Sequence, residues 1–420
     1  MNISKTVLAI SLLLFASVLA TAQITAIKTG KVVHPENGRV ETNQIIIVEG
    51  QNIKAIGANV SIPKGAKVLD LSNKVVMPGM FDAHTHLCMN MQHKRDAGSY
   101  YITTLRDSTA FRAIQGVANA RSMLEYGFTT VRDIGNGANY ADTDLRRSIE
   151  QGLVPGPTII NAGRIIAPFG GQFQLQADRQ DLAEPEYFFA DSKNEIRKAI
   201  RKNIHFGAKV IKLVIDDQAY IYSVEDIKFA KKEAHDAGLK IAAHAWSRKG
   251  ALHAAMAGVD SIEHAVKVDE EILKIAKKNN VAIVPIPFTE TDAVLSGTPG
   301  ANERFDKFWF RRPVKLAHKL GVTLVWGPDI IFSTKEHPRG KSSIGTVDNW
   351  VKAEIPNGVI LQALTTNAAK LLGVEKERGA IKVGFKADII AVDENPLEKI
   401  ETVKKVGFVM KNGKVFLDKM

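Results

Sequence analysis

The chain has a single cysteine, Cys88, in 420 residues, so no internal disulfide can staple its fold. Stability must come from a core, a metal or assembly, whatever the redox state of the compartment; a homo-oligomer is compatible with the sequence. Cys88 itself reads as a small buried side chain rather than a ligand. Internal repeats, low-complexity runs and coiled-coil heptads are absent, which excludes solenoids and fibrous classes. The apolar run from Thr6 to Leu19 is shorter than the roughly 20 residues a membrane span needs. It follows the basic Met1 to Lys5 and precedes Ala20-Thr21-Ala22, the small-x-small pattern of a signal cleavage site. Residues 1–22 are therefore expected to be an export signal. With no cysteine beside the cut, no lipid anchor is expected. The product should be periplasmic or secreted, with no stable membrane insertion.

A concentrated basic stripe is also lacking. The formal net charge is +11, and losing Lys5 with the signal leaves +10. The excess is spread over helix-like stretches such as Lys228 to Lys232 and Lys274 to Lys278, interleaved with acids. That is a solvated surface, and no nucleic-acid partner is expected. With 45% hydrophobic and 24% charged residues the chain reads as globular. Its length favours one large domain plus a smaller one.

Eight short apolar runs follow residue 74: Val75–His86, Thr129–Ile134, Pro157–Ile166, Lys209–Ile215, Lys240–Trp246, Ser261–Val266, Val281–Pro287 and Thr323–Ile330. Near-continuous Val, Ile and Ala, rather than alternation, suits parallel strands covered on both faces. Patterned helices lie between them, as in Val224–Ala237 before Gly238 and Asp269–Asn280. Eight strand–helix units predict an α/β fold, a (β/α)8 TIM-like barrel over residues 79–375. Residues 23–78 and 376–420 are β-rich, the latter carrying the hairpin signal Asn412-Gly413. Together they predict a small β-sandwich domain built from both chain ends.

Chemistry-bearing residues stand at the C-terminal ends of five of these runs, and in such a barrel those ends share one mouth. His84 and His86 are two apart on a strand, so they share a face and can hold one divalent metal. Lys212 lies inside Lys209-Val210-Ile211-Lys212-Leu213-Val214-Ile215, where a bare ammonium costs several kcal/mol unless paired. Pairing with Asp216 or Asp217, or reaching to water, is one reading. The other is a CO2-derived carbamate bridging two metals. His244 and His264 suit the second metal, and Asp329 suits the first while shuttling a proton. Histidine-rich ligation favours Zn2+. His205, His235, His253 and His318 fall in helical surface patterns, His34 and His93 in loops without partners, and His337 on the loop after the eighth run. Tyr220 or Tyr222 are candidate oxyanion donors, and Arg339 or Lys341 candidate partners for a substrate carboxylate. Arg132 is expected to pair with neighbours near strand two.

These residues in this order resemble the amidohydrolase superfamily. The likeness runs through Pro78-Gly79-Met80-Phe81-Asp82-Ala83-His84-Thr85-His86, Gly127-Phe128-Thr129-Thr130-Val131-Arg132-Asp133, Thr366-Asn367-Ala368-Ala369-Lys370-Leu371-Leu372-Gly373 and Gly384-Phe385-Lys386-Ala387-Asp388. It implies a distorted barrel with a small β domain, two zinc-like metals, and hydrolysis of amides or related esters. The chain looks most like the binuclear-metal peptidases related to Xaa-Pro dipeptidase and imidazolonepropionase, which implies a dipeptide or other small-molecule substrate. It departs from that group at Trp246, where a histidine is common, at Gln172 in Gly170-Gly171-Gln172, and at Asp216-Asp217-Gln218-Ala219-Tyr220. All three lie where substrate would be gripped. A hydrolase of cyclic amides, lactones or carbamate-like compounds, an exported binding protein without turnover, and a deaminase are the competing readings.

Overall fold

The computed structural model describes residues 23–97, 99–135, 137–287 and 306–419. The expected export segment, 1–22, lies outside the described residues. Among them, no helix is long and apolar enough to cross a membrane.

Both chain ends meet in one eight-stranded sheet. Its strands are β1 (Ile24–His34), β2 (Arg39–Thr42), β3 (Ile45–Glu49), β4 (Asn52–Gly57) and β5 (Lys67–Pro78), joined by β15 (Ile389–Val392), β16 (Phe408–Lys411) and β17 (Lys414–Asp418) from the C-terminus. The order is β17-β16-β15-β5-β1-β3-β4, with β2 pairing on β1. The expected sandwich is built as one hydrogen-bonded sheet whose edge strand β4 folds back onto the residues before β15, Ile53 N–H reaching Phe385 O and Gly384 N–H reaching Ile53 O, both at 2.8 Å. Val32, Val76, Ile389, Ala391, Phe408 and Met410 pack in a separate apolar cluster. Their neighbours Val33, Val75, Met77, Ile390, Val392 and Val409 join the main core. Period-two alternation thus gives the sheet its own core on one side and the rest of the protein on the other.

Gly79 divides the first expected run into two strands. Its N–H goes to Asp388 O at 2.9 Å, and a Cβ there would meet Thr129 Oγ1 at 2.2 Å. Beyond it come β6 (Met80–Thr85), β7 (Phe128–Asp133) and β8 (Thr158–Asn161), a three-stranded parallel sheet. Then follow β9 (Ile165–Ala167), β10 (Tyr187–Phe189), β11 (Val210–Val214), β12 (Lys240–His244), β13 (Ser261–His264) and β14 (Ala282–Pro285), ordered β10-β9-β11-β12-β13-β14. Strand β10 was not among the expected eight.

The two parallel sheets do not close through continuous pairing. At one seam Lys209 N–H reaches Asn161 O at 2.7 Å; at the other Ala83 N–H reaches Trp326 O at 2.8 Å. The eighth expected run is reduced to a parallel bridge between Leu324 and Ile283. Trp326 spends its N–H on Ala363 O, and Pro328 has none to give, so no ladder extends there.

Side chains alternate between inside and outside. Val210 packs with Ile134, Ala162 and Ala242 in an inner cluster, whereas Ile211, Leu213, Ile241 and Ala243 join the helix-covered core. Lys212 and His244, two residues beyond Val210 and Ala242, share the inner face. Capping boxes at Ser192/Glu195 and Ser223/Asp226 start the helices that follow β10 and β11.

Candidate active site

His84 and His86 present their rings to the same space. Glu263 Oε2 takes the Nδ1–H of His84 at 2.8 Å, and Gly135 O takes that of His86 at 2.9 Å. Both acceptors lack protons, so each ring keeps an Nε2 lone pair facing inward. Asp329 Oδ1 stands 3.1 Å from His86 Nε2 and 3.5 Å from His84 Nε2. Each of these three residues offers an atom within 4.8 Å of the others, a grouping that fits one divalent cation.

A second pair lies beside it. His244 Nδ1 is 2.7 Å from His264 Nε2, and His264 Nδ1 is 3.6 Å from Asp329 Oδ2. His84 Nε2 and His264 Nδ1 are buried without a hydrogen-bond partner, while His244 Nε2 faces Asp217 Oδ2 at 2.8 Å and Asp329 Oδ1 faces His86 Nε2 at 3.1 Å. Such a concentration of poorly satisfied donor atoms is costly in a folded core unless something binds there. The set fits metals.

Lys212 sits among them, 2% exposed, and makes no hydrogen bond or ion pair among the described residues. The alternative pairing with Asp216 does not form. That carboxylate is occupied by Trp246 N–H (2.9 Å), Ser247 N–H (2.6 Å) and Ser247 Oγ–H (2.6 Å). Asp217 is taken by Gln172 Nε2–H at 2.9 Å. Burial pushes the Lys212 amine down to about 8, against the opposing pull of Glu263 and Asp329. Burial also lowers His84 to about 4, with Lys212 adding to it. For Asp329 burial works the other way, but His84, His86 and Lys212 outweigh it and hold the carboxyl at about 2.

Three non-glycine residues here have left-handed backbones: His264 (φ 66°), Asp329 (φ 55°) and Asp217 (φ 92°). Sparsely populated conformations of this kind gather at functional sites, where packing over-determines them.

Sequence reasoning missed Glu263. It is wholly buried, accepts from Arg132 Nη2 at 2.7 Å as well as from His84, and is held far below the usual carboxylate range. Burial opposes that ionisation, and Arg132 is the largest influence favouring it. Arg132 keeps one partner near strand two, its Nε–H on Ala83 O of β6 at 2.5 Å, but its ion pair crosses the interior to Glu263 on β13. An acid inside the apolar run Ser261-Ile262-Glu263-His264 was the available signal.

A cavity of about 320 Å³ opens over these groups, lined by His84, His86, Lys212, His244, His264 and Asp329. Gln172 and Trp246 line it as expected. So does Asp217, from a loop expected to grip substrate, together with Met89, Met91 and Tyr100, which the sequence did not single out. The other substrate candidates stand elsewhere. Tyr222 is buried in the core with its hydroxyl on Ala190 O at 2.6 Å. Tyr220 is spent on Phe169 O at 2.6 Å. Arg339 is 1% exposed and donates to His86 O, Met89 O and Ile330 O, so it braces backbone rather than awaiting a carboxylate. Lys341 is exposed on Glu336 O at 3.0 Å. His337 lies in the turn after β14's partner run, bonded through Thr334, and does not line the cavity. His34 is no lone loop residue: it ends β1, buried, beside Glu36 and Glu41.

The Amidohydrolase family profile matches residues 75–416. The ochratoxinase of Aspergillus niger is 27% identical, the alignment covering 94% of this chain and 87% of that protein. The imidazolonepropionase of Fusobacterium nucleatum subsp. nucleatum is 23% identical over 90% of this chain and 93% of its own. Among solved structures, a Xaa-Pro dipeptidase with bound methionine in its active site superposes with a TM-score of 0.82 at 26% identity, covering 94% of this chain and 100% of that one. These neighbours imply a TIM-like barrel plus a second domain. The chain belongs to the amidohydrolase family and is a hydrolase of carbon–nitrogen bonds.

Proposed function

We propose that the protein is an exported binuclear-metal hydrolase that cleaves the amide bond of dipeptide-like substrates. The carrying observation is the convergence of imidazole and carboxylate atoms around a buried, unpaired lysine. His84, His86 and Asp329 would hold one cation, His244 and His264 the other, with Lys212 between. When bound, divalent cations, most simply Zn2+, polarise a carbonyl and acidify water.

The protein's own groups do the rest. With its pKa pushed down to about 8, the Lys212 amine is partly unprotonated near neutrality. It attacks CO2, forming an N–C bond and releasing one proton, and the resulting carbamate supplies two oxygens that share one negative charge. Asp329, ionised at neutral pH, takes a proton from the attacking water and delivers it to the departing amine. Glu263 and Gly135 fix the tautomers of His84 and His86. Trp246, 5.6 Å from the His264 ring, walls the cavity against bulk water. The Xaa-Pro dipeptidase likeness supports a dipeptide substrate.

One observation favours a second reading, hydrolysis of cyclic amides, lactones or carbamate-like compounds. Among the described residues, the cavity offers no arginine, and its one lysine is Lys212, so a free substrate carboxylate finds no cation. Turnover of a dipeptide library against lactones and hydantoins, with metal-loaded protein, decides between them. Dipeptide cleavage supports the first reading; cleavage only of the cyclic compounds supports the second.

A further inference from the structure

Two loops form one wall of the cavity, and side chains clasp them together. Gln218 Nε2–H donates to Gly171 O at 2.9 Å, and Tyr220 Oη–H to Phe169 O at 2.6 Å. Closest to the metal ligands, Gln172 Nε2–H donates to Asp217 Oδ2 at 2.9 Å. Tyr187 Oη–H, on β10, donates to Gln172 Oε1 at 2.7 Å. A carboxylate can only accept, so the amide must turn its NH2 toward Asp217, and the phenol then completes the other end. Gln172 is thereby fixed, and it fixes Asp217.

The carboxylate so held is half committed. Its Oδ2 takes Gln172 and stands 2.8 Å from His244 Nε2. Its Oδ1 makes no hydrogen bond among the described residues. The backbone at φ 92°, a conformation side-chain-bearing residues rarely adopt, keeps this side chain at the cavity wall. Asp217 lies close enough to His244 and Asp216 to share a cation with them; once Lys212 and Asp329 are assigned to the metal centre, it is also the remaining formally charged side chain on the described lining, apart from the histidines. The rest is apolar or neutral: Met89, Met91, Ile165, Ile331, Trp246, Tyr100.

We propose that Asp217, oriented by Gln172, seats an ammonium group of the substrate, so that the preferred amides carry a free amine beside the scissile carbonyl. The proposal rests on the amide-hydrolase reading above and narrows its substrate class. A cation entering this cavity exchanges its hydration for a preoriented carboxylate, at little further cost in ordering. An N-acylated substrate instead leaves that carboxylate facing a neutral group.

Two measurements on the metal-loaded full chain test it. The first compares kcat/KM for leucyl-leucine and N-acetyl-leucyl-leucine. The second titrates leucinol against N-acetylleucinol by calorimetry, which needs no turnover. The free amine is expected to win by at least tenfold in both, and Asp217→Asn is expected to bring the ratio close to one. If Asp217→Asn does not fold or loses metal, Gln172→Leu serves instead: it frees the carboxylate to swing away and should cut the ratio severalfold. Equal handling of both partners by the unaltered protein overturns the proposal, as does a ratio unchanged in the variant used. Cleavage of dipeptides regardless of acetylation removes the ammonium seat and leaves the dipeptidase reading standing. Asp217-dependent leucinol binding without dipeptide turnover does the reverse.

Discussion

Glu263 and His84 are 179 positions apart, yet Glu263 Oε2 takes the Nδ1–H of His84 at 2.8 Å while Oε1 holds Arg132. One carboxylate thus sets the tautomer of an inward-facing imidazole and neutralises a guanidinium in the interior. Glu263→Gln removes the charge with little change of shape. Metal affinity should fall by about 10–100-fold, measured by chelator competition, because the histidine loses its anionic partner. Stability should fall too, since Arg132 is left buried without its counter-ion. Unchanged affinity would show that the contact is incidental.

Arg339 offers a test of what the cavity lacks. Its guanidinium donates to three carbonyls and is pushed down to about 10 by burial, with Asp133, Asp329 and Asp82 opposing. Arg339→Lys cannot reproduce that fork, and a loss of about 1–3 kcal/mol in urea unfolding is expected. The KM ratio between dipeptides with free and amidated C-termini should not move. A ratio that collapses in this variant would return Arg339 to the substrate.

Gly250 supports Trp246 from a distance. A Cβ at Gly250 would lie 2.2 Å from Asp216 Oδ2, the atom that receives Ser247 N–H and Oγ–H. Gly250→Ala should cost about 1–3 kcal/mol through overpacking. It should also raise KM by displacing Trp246, whose N–H rests on the other oxygen of Asp216. Thermal unfolding together with steady-state kinetics checks both.

Acid sensitivity should report Asp260, which lies outside the cavity. It accepts from His235 Nε2 (2.7 Å), Lys240 Nζ (3.0 Å) and Ile241 N–H (2.8 Å), tying β12 to the preceding helix. Burial opposes its ionisation, but these donors prevail and hold the carboxyl below its ordinary 3.8. A folded value under the unfolded one means the stabilisation is full above pH 3.8 and is lost as pH falls from there through the folded value. Urea midpoints for Asp260→Asn should be lower than those of the unaltered protein at pH 7, and the gap should close toward pH 2. A constant gap would contradict this.

The ligand set was legible because each member ends or interrupts an apolar run, where a polar side chain needs a reason. Lys212 shows this best, being buried on a strand whose neighbours are Val, Ile and Leu. Long-range partners were less legible. Arg132 and Glu263 meet across the interior, and nothing local to either strand names the other. The tyrosines after β11 failed as oxyanion donors for a similar reason: Tyr222 turns into the core and Tyr220 crosses to a neighbouring loop, both decided by tertiary packing. The continuous pairing of the sheet at the chain ends escaped because alternation fixes which residues share a face, not which strands pair.

Lys212, as a carbamate, would join the two cation sites. Metal analysis after loading with zinc and 13C-bicarbonate, read beside the carbonyl region of the 13C spectrum, tests it directly. About two metals per chain and a protein-bound carbamate resonance are expected, with both lost in Lys212→Ala. Full activity and an undiminished metal content in that variant would contradict the account.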